Sequence, residues 1–267
     1  MNAAIIQVRV NSSRLPGKVL LKVKNKTLLE HLILRVKESK KIDEIIIATT
    51  KNKLDDQIEK FCIKNEIKFF RGDENDVLSR YFESAKQFKI KTIIRLTGDT
   101  PLIDPSVIDD VINFYEKHNF EYVSNFFPFP RLFPDGYNVE VFSFEILKKC
   151  HLESTRPSER EHVTPYITMQ PKEFSIGKFE CPIDLSKYRF NLDYYEDFLL
   201  IEKILENLYS EEKIFSMHDI IQFLDKNPEI FKINAHILSY SNILKSFDDD
   251  KKLGFEPREG NYYFNSQ

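Results

Sequence analysis

Residues 9–18 combine the side-chain types that bind a triphosphate. Their cations and hydroxyls are Arg9, Ser12, Ser13, Arg14 and Lys18, and they lie at and directly after the end of a strand-like run at residues 3–10. Guanidinium groups and turn N–H groups grip phosphate oxygens, and a lysine supplies a compact positive charge for a departing pyrophosphate. The P-loop pattern is absent. The segment therefore predicts a nucleotide site, with a solvated basic turn as the alternative that composition leaves open.

Two aspartates end strand-like runs and are candidates for the same metal ion. Asp99 follows a run at residues 92–96, and Asp193 closes another just before a helix. Mg²⁺ takes one or two protein carboxylates and completes its shell with waters and phosphate oxygens. Each aspartate could instead be a turn or helix N-cap residue. Asp104, which precedes Pro105, is interpreted as an N-cap with proline at the first helical position.

Strand and helix patterns alternate along the first half of the chain. Strands are predicted at residues 3–10, 43–48, 67–70 and 92–96, and helices at 27–39, 54–64 and 74–88. This alternation predicts an α/β fold with a doubly wound, mostly parallel sheet. Ligands bind such sheets beyond the carboxyl ends of the strands, where the loops at residues 9–18 and 95–105 lie.

The second half of the chain is less regular. Strands are predicted at residues 137–142 and 189–192, helices at 194–208 and beyond 216, and a solvated loop at the DDDKK run of 248–252. The interpretation is one α/β domain at residues 1–208, followed by a C-terminal helical extension and tail at 209–267.

Composition excludes several classes of function. The 267 residues include 39 Lys and Arg against 42 Asp and Glu, so there is no basic excess for nucleic acid. Neither the three cysteines nor the six histidines show a disulfide or zinc spacing. No apolar run reaches the roughly 20 residues that span a bilayer, and no signal-peptide layout is present. A cytoplasmic location without a membrane partner is therefore expected.

Four ordered motifs carry a resemblance to a known family. They read IIQVRVNSSRLPGKVL, RLTGDTPLIDP, FPDGYNVEVF and PSEREHVTPYI, and the similarity runs from about residue 3 to about residue 205. Together they resemble the cytidylyltransferases of the spore coat polysaccharide type, which are similar to CMP-KDO and CMP-acylneuraminate synthetases. Many relatives have glycine where Asn11 stands, and the tail after about residue 209 has no counterpart.

The resemblance implies a role for each matching residue. The implied nucleotide-binding residues are Arg9, Ser12, Ser13, Arg14, Lys18, Arg71, Arg95 and Thr97, with Arg71 on the cytosine side. Arg14, Lys18 and Asp99 are implied to be catalytic, and Asp99 and Asp193 to bind Mg²⁺. The implied acceptor-binding residues are Asn125, Asp135, Gly136, Glu140, Arg160 and His162. Around Arg160, a capped helix start with a solvated face is an equal alternative. A homodimer is also implied.

The expected reaction is attack of an acceptor oxygen on the α-phosphorus of CTP, with release of pyrophosphate. The acceptor is a sugar, a sugar acid or its phosphate, for surface polysaccharide or glycan synthesis. One alternative is a GTP- or UTP-dependent sugar-1-phosphate nucleotidyltransferase. Another is a nucleotide-sugar-dependent glycosyltransferase, but the acidic runs at 109–110 and 248–250 do not follow a central strand. A third is an inactive binding module, which the presence of Lys18, Asp99 and Asp193 disfavours.

Overall fold

The structure, a computed structural model, describes residues 1–239, 241–258 and 260. Its main feature is a seven-stranded sheet of order β5-β4-β1-β6-β8-β7-β9, beside a two-stranded ribbon of β2 and β3. The strands are β1 Asn2–Gln7, β2 Lys22–Val23, β3 Lys26–Thr27, β4 Glu44–Thr50, β5 Lys68–Gly72, β6 Thr92–Thr97, β7 Tyr122–Ser124, β8 Glu140–Ser143 and β9 Ile176–Lys178. Strands β5, β4, β1 and β6 are parallel neighbours, and β8 is antiparallel to both β6 and β7. The predicted α/β class and mostly parallel sheet are confirmed.

Helices cover the sheet and form the C-terminal extension. They are α1 Leu28–Lys37, α2 Asp56–Lys64, α3 Val77–Gln87, α4 Pro105–Lys117, α5 Phe144–Glu153, α6 Pro157–His162, α7 Pro165–Thr168, α8 Tyr195–Leu208, α9 Met217–Lys226, α10 Pro228–Phe231 and α11 Ser241–Lys252. The N-cap predicted at Asp104 is confirmed, because its carboxylate accepts a 2.9 Å hydrogen bond from the N–H of Ser106.

Strand β1 shows why a continuous apolar run in the sequence predicts a central strand. Ala4 and Ile6 face one apolar cluster, whereas Ala3 and Ile5 face the cluster on the other side of the sheet. A strand that is buried on both faces reads as a continuous apolar run, without the alternation of a half-exposed strand. The carboxyl ends of β1 and β6 are therefore held side by side, which brings the loops after them together.

Three expectations for the second half need correction. Strand β8 begins at Glu140, and residues 137–139 lead into it. Residues 189–192 do not form a strand. Their backbone pairing in the sheet pattern is a single isolated bridge between Arg189 and Asp135. The DDDKK run belongs to helix α11, and Asp250 within it is buried, where it accepts a 3.2 Å hydrogen bond from the N–H of Ser158. Burial of Asp250 and of Phe247 anchors this helix.

The C-terminal extension packs on the same core as the rest of the chain. Ile220 and Leu224 of α9 join the apolar cluster that contains Ile201 and Leu205 of α8. The boundary after residue 208 stays a prediction. Within the described residues, the helices are all too short or too polar to span a bilayer.

Candidate active site

A cavity of about 960 Å³ opens at the carboxyl ends of β1 and β6. Residues from the loop after β1, the start of α3, α6 and α11 contribute to its wall. It brings together most of the predicted site residues, namely Arg9, Ser12, Ser13, Arg14, Lys18, Arg95, Thr97, Asp99, Asp135, Arg160, His162 and Asp193. Four predicted residues do not line it: Arg71, Asn125, Gly136 and Glu140.

Lys18 lies at the centre of the polar end of this cavity. Gly17 precedes it in the left-handed region, at φ 73°, and so turns the chain into a short 3-10 helix, Lys18–Leu20. The Lys18 ammonium donates to Asp99 Oδ2 at 3.0 Å, to Asp193 Oδ1 at 3.0 Å and to the carbonyl of Leu192 at 2.6 Å. The basic loop and the two predicted metal carboxylates therefore meet at one point.

The carboxylate of Asp193 does not cap a helix. Asp197 performs that role for α8, accepting hydrogen bonds from the N–H groups of Asp193 at 2.9 Å and Tyr194 at 3.0 Å. Asp193 instead pairs with Arg14 at 2.6 Å as well as with Lys18. The structure thus speaks against the N-cap alternative for Asp193, and its role as a metal ligand stays a prediction. Asp99 likewise lies in a turn after β6 and pairs with Lys18.

These ion pairs shift the pKa values of both partners. Burial opposes the charge on Asp193, but Lys18 and Arg14 outweigh it and lower the pKa of Asp193 to about 2. Burial also disfavours the Lys18 ammonium, yet Asp99 and Asp193 raise its pKa above the ordinary value. Lys18 is therefore a fixed cation at neutral pH and cannot serve as a general base.

Arg189 supports Asp193 from the side opposite Lys18. Its guanidinium donates to Asp135 at 2.7 Å, to Asp197 at 2.9 and 3.0 Å, and to Asp193 at 3.3 Å. Burial disfavours its charge, but the three carboxylates raise the pKa of Arg189. Sequence reasoning missed this residue, since nothing in the string RFNLD shows that Asp135 lies beside it.

Arg95 and Glu140 form a buried ion pair beneath the cavity. Glu140 also accepts hydrogen bonds from the hydroxyls of Tyr122 and Thr164, each at 2.6 Å. Burial disfavours the Arg95 charge, and Glu140 nevertheless raises the pKa of Arg95. Arg95 lines the cavity while Glu140 does not, so Glu140 holds Arg95 in place, and its predicted contact with an acceptor stays a prediction.

Asn125 and Gly136 do not line the cavity, and their predicted role in substrate binding stays a prediction. The Asn125 side chain donates to the carbonyl of Tyr137 at 2.7 Å and accepts from the N–H of Val139 at 2.9 Å. Gly136 has φ 95°, and a Cβ there would lie 2.6 Å from the carbonyl carbon of Phe190. Both residues shape the crossing of residues 135–139 over residue 190, which places Asp135.

Arg71 does not line the cavity, and its predicted role beside the base stays a prediction. Its guanidinium pairs with Asp56 at 2.8 Å and with Glu59, and donates to the carbonyls of Thr50 and Asn52 at 2.8 Å each. These contacts tie β5 to α2 and use the donors that a base would need.

The α6 residues line the opposite end of the cavity. Arg160 donates to Asp76 at 3.1 Å and to the carbonyl of His151 at 2.8 Å, so it ties α6 to the N-cap of α3. His162 Nε2 lies 2.9 Å from the hydroxyl of Ser246 on α11, and burial lowers the pKa of His162. The C-terminal extension thus forms part of the wall, which the sequence did not indicate.

Asp99 and Asp193 are the best candidates for holding a metal ion. Within the described part of the chain, no three His, Cys, Asp or Glu side chains cluster as a complete metal cage. Two carboxylates about one cationic position, open to a cavity, nevertheless fit Mg²⁺, which takes few protein ligands and relies on phosphate oxygens and waters. The donor set does not fit zinc, which takes Cys or His ligands in most sites.

Comparisons with known proteins find a matching family and relatives that are similar in sequence and structure. Residues 3–259 match the sequence profile of a family described as Cytidylyltransferase. The spore coat polysaccharide biosynthesis protein SpsF of Bacillus subtilis is 33% identical over 234 residues, which are 84% of this chain and 94% of SpsF. A cytidylyltransferase structure from Leptospira borgpetersenii superposes with a TM-score of 0.82 at 34% identity, covering 90% of this chain and 98% of that one.

A more distant structure shares the fold. CMP:2-keto-3-deoxy-manno-octonic acid synthetase, complexed with CTP, has a TM-score of 0.59 at 16% identity and covers 78% of this chain and 99% of its own.

Proposed function

This chain belongs to the cytidylyltransferase family, and we propose that it transfers CMP from CTP to an oxygen of a sugar, a sugar acid or a sugar phosphate. Pyrophosphate is the second product, and surface polysaccharide or glycan synthesis is the process served. The observation that carries the proposal is the convergence of Lys18 and Arg14 with Asp99 and Asp193 in one cavity. Cations for a triphosphate and carboxylates for its metal lie together there.

Nucleotidyl transfer asks the protein mainly for positioning and for stabilisation of charge. In the proposed reaction an acceptor oxygen attacks the α-phosphorus in line with the departing pyrophosphate. Lys18 and Arg14 compensate the negative charge that grows on that leaving group, and both are already oriented by Asp193. An acceptor phosphate is already an anion, whereas a sugar hydroxyl must lose its proton to become an effective nucleophile.

Mg²⁺ is part of this proposal. Asp99 and Asp193 would hold it, and when bound it supplies neutralisation of triphosphate charge and polarisation of the α-phosphorus. The protein's contribution is to aim both carboxylates at one position, where both contact Lys18. Lys18 and Arg14 hold the pKa of Asp193 low, against the effect of burial, so this carboxylate is charged throughout the neutral range.

The homodimer and the cytoplasmic location that the resemblance implies remain predictions. Sedimentation velocity of the purified chain over a range of concentrations tests the first. A single boundary at the mass of one chain of 31.7 kDa at all concentrations would contradict it.

The first experiment measures thermal stabilisation of the protein by CTP, GTP, UTP and ATP, each with and without Mg²⁺. Binding to the folded state raises the unfolding temperature in proportion to the logarithm of ligand concentration over Kd. We expect a large, Mg²⁺-dependent shift with CTP. A preference for GTP or UTP would keep the transferase class and overturn the choice of CTP.

Asp99→Asn provides the test of mechanism. We expect this variant to fold and to lose pyrophosphate release, because it removes one of the two proposed metal carboxylates while preserving the shape of the side chain. Near-normal turnover in the folded variant would remove Asp99 from the site. Asp248→Asn, on the exposed face of α11, is the control and should retain full turnover.

A further inference from the structure

The C-terminal extension contributes a serine hydroxyl to the cavity wall, and this hydroxyl contacts the ring of His162. Nε2 of His162 lies 2.9 Å from the hydroxyl oxygen of Ser246 on α11, and both residues line the cavity. The side chain of His162 is 22% exposed, so part of its ring is open to a ligand. Among the residues that the structure describes, His162 is the one histidine in this wall.

The contacts of Ser246 favour one tautomer of His162. The Ser246 hydroxyl donates to Glu161 Oε2 at 3.4 Å. A hydroxyl has one proton to donate, so its oxygen accepts from His162, which puts the proton of the neutral imidazole on Nε2. Nδ1 then carries the lone pair, and within the described part of the chain it makes no hydrogen bond. It is also not one of the buried polar atoms that lack a partner, so it reaches the surface.

The charges around His162 leave its ring neutral near pH 7. Burial lowers the pKa of His162, and the charge of Arg95 on β6 acts in the same direction. Glu161 on α6, Asp250 on α11 and Glu140 on β8 oppose this effect, but the pKa stays below its ordinary value. The ring is therefore a proton acceptor. Once it is protonated, Glu161 stabilises its charge, because Glu161 Oε2 lies 3.9 Å from Nε2.

Other titratable groups in the wall are weaker bases. Lys18 is a fixed cation, and the pKa of Asp193 is about 2. Asp76 and Asp135 are each paired with an arginine. A general base works best when its pKa lies near the working pH, and an imidazole meets that condition.

His162 lies at the end of the cavity where an acceptor would enter. In-line transfer requires the nucleophile to approach the α-phosphorus from the side opposite the departing pyrophosphate. The proposed function puts pyrophosphate beside Lys18 and Arg14, so the acceptor approaches from the end formed by α6 and α11. The exposed part of the His162 ring faces an acceptor there.

We propose that His162 is the general base of the reaction and that Ser246 is the residue that positions it. Nδ1 takes the proton of an acceptor hydroxyl while the hydroxyl oxygen forms its bond to the α-phosphorus. The bond between that phosphorus and pyrophosphate breaks, and pyrophosphate leaves with the electron pair. The acceptor is then a sugar hydroxyl, because a phosphate is already an anion. This inference rests on the proposed function and chooses between the acceptors that it leaves open.

NMR of the protein labelled with ¹⁵N-histidine tests the tautomer. The signals of His162 are those that disappear in His162→Gln. We expect a neutral ring with its proton on Nε2 at about pH 8, and a titration below that of an ordinary histidine. In Ser246→Ala the pKa of His162 should fall further, because the imidazolium loses a hydrogen-bond acceptor. A proton on Nδ1, or a charged ring at that pH, would overturn the assignment.

Formation of CMP and pyrophosphate from CTP and Mg²⁺, with water as the acceptor, tests the role in catalysis without a sugar. Glutamine keeps an N–H for Ser246 but has no basic nitrogen. We therefore expect His162→Gln to bind CTP like the wild type in calorimetric titration and to react about 100-fold more slowly or worse. His218→Gln is the control, because His218 is exposed on α9 and does not line the cavity.

The pH dependence separates a base from a residue that only packs. The rate of the wild type should fall as the pH falls through the pKa of His162, and His162→Gln should lack this decline. A folded His162→Gln protein within a few-fold of the wild type, or with the same decline, would overturn the assignment. So would a wild type that binds CTP but gives CMP no faster than CTP and Mg²⁺ alone. Failure of the wild type to bind CTP would instead refute the proposed function.

Discussion

The carboxylate of Asp197 accepts a hydrogen bond from the backbone N–H of Asp193 at 2.9 Å. The same oxygen accepts from Tyr194, which completes the N-terminal cap of α8. Because Asp197 satisfies these donors, the carboxylate of Asp193 is left to pair with Lys18 and Arg14. Two aspartates four residues apart therefore have different contacts: Asp197 caps the start of α8, and Asp193 pairs with the cations that line the cavity.

Replacing Asp197 with alanine should damage stability and activity together. The change removes the cap and leaves the buried Arg189 with fewer carboxylates, so we expect the free energy of unfolding to fall by about 3–5 kcal/mol. Pyrophosphate release should fall as Asp193 loses its fixed position. Urea unfolding and a pyrophosphate assay measure the two effects.

Asp219→Ala is the matched control for that experiment. Asp219 caps α9, accepting a 2.7 Å hydrogen bond from the N–H of Ser216, and does not line the cavity. It should lose about 1 kcal/mol of stability and no activity. If Asp197→Ala kept full turnover at a temperature where it is folded, the support of Asp193 by Asp197 would be refuted.

Lys18→Ala should lower the turnover number by about 100- to 1,000-fold, which is the usual effect of removing one preorganised charge from a transition state. Lys18 contacts both candidate metal carboxylates, so its charge is fixed where pyrophosphate would leave. Steady-state pyrophosphate release measures the effect. Lys22→Ala, an exposed lysine of β2, should keep normal turnover. A loss of only a few-fold in Lys18→Ala would return the loop to the alternative of a solvated basic turn.

The stability of the protein should depend on pH through Asp193. Its pKa is about 2 in the folded protein against 3.8 ordinarily, because Lys18 and Arg14 outweigh the effect of burial. A carboxyl group whose pKa is lower in the folded protein than in the unfolded chain stabilises the fold at pH values above its unfolded-state pKa. This stabilisation is lost as the pH falls through the pKa of the folded state. Urea midpoints between about pH 5 and pH 2 should therefore fall more steeply in the wild type than in Asp193→Asn. Parallel slopes would contradict the ion-pair assignment.

The sequence predicts the sheet and the centre of the site because both depend on local pattern. Residues such as Ile46 and Ile94 stand in apolar runs that a doubly buried sheet requires, and Lys18 and Asp99 lie in the segments that follow strands β1 and β6. Their meeting follows from the rule that the carboxyl ends of parallel strands share one edge.

The remaining site residues depend on long-range contacts that no local pattern records. The stem of Arg80 on α3 packs against Gly72 at the end of β5, and Arg189 contacts Asp135, which lies 54 positions earlier. Asp250 belongs to a run of charged residues that the sequence pattern assigns to a solvated loop. In the structure it is buried and accepts a hydrogen bond from Ser158, which lies 92 positions earlier. Such pairs are set by tertiary packing, so the spacing of residue types cannot reveal them.

Asn234 links the C-terminal extension to the support of Asp193, and its loss should be felt at the site. Its side-chain amide is buried and donates to Asp197 at 2.8 Å and to the carbonyl of Arg189 at 3.1 Å. Asn234→Ala leaves two buried acceptors with one donor fewer, so we expect a loss of about 1–3 kcal/mol in the free energy of unfolding.

The same variant should weaken catalysis through Asp193, which the loosened Asp197 and Arg189 no longer hold as firmly. Pyrophosphate release, measured at saturating CTP and below the unfolding temperature, should therefore fall in Asn234→Ala. Asn207→Ala is the control, because Asn207 donates a 2.8 Å hydrogen bond to the carbonyl of Lys203 on the exposed face of α8. If Asn234→Ala lost stability but kept the turnover of the wild type, the extension would stabilise the fold without supporting the site.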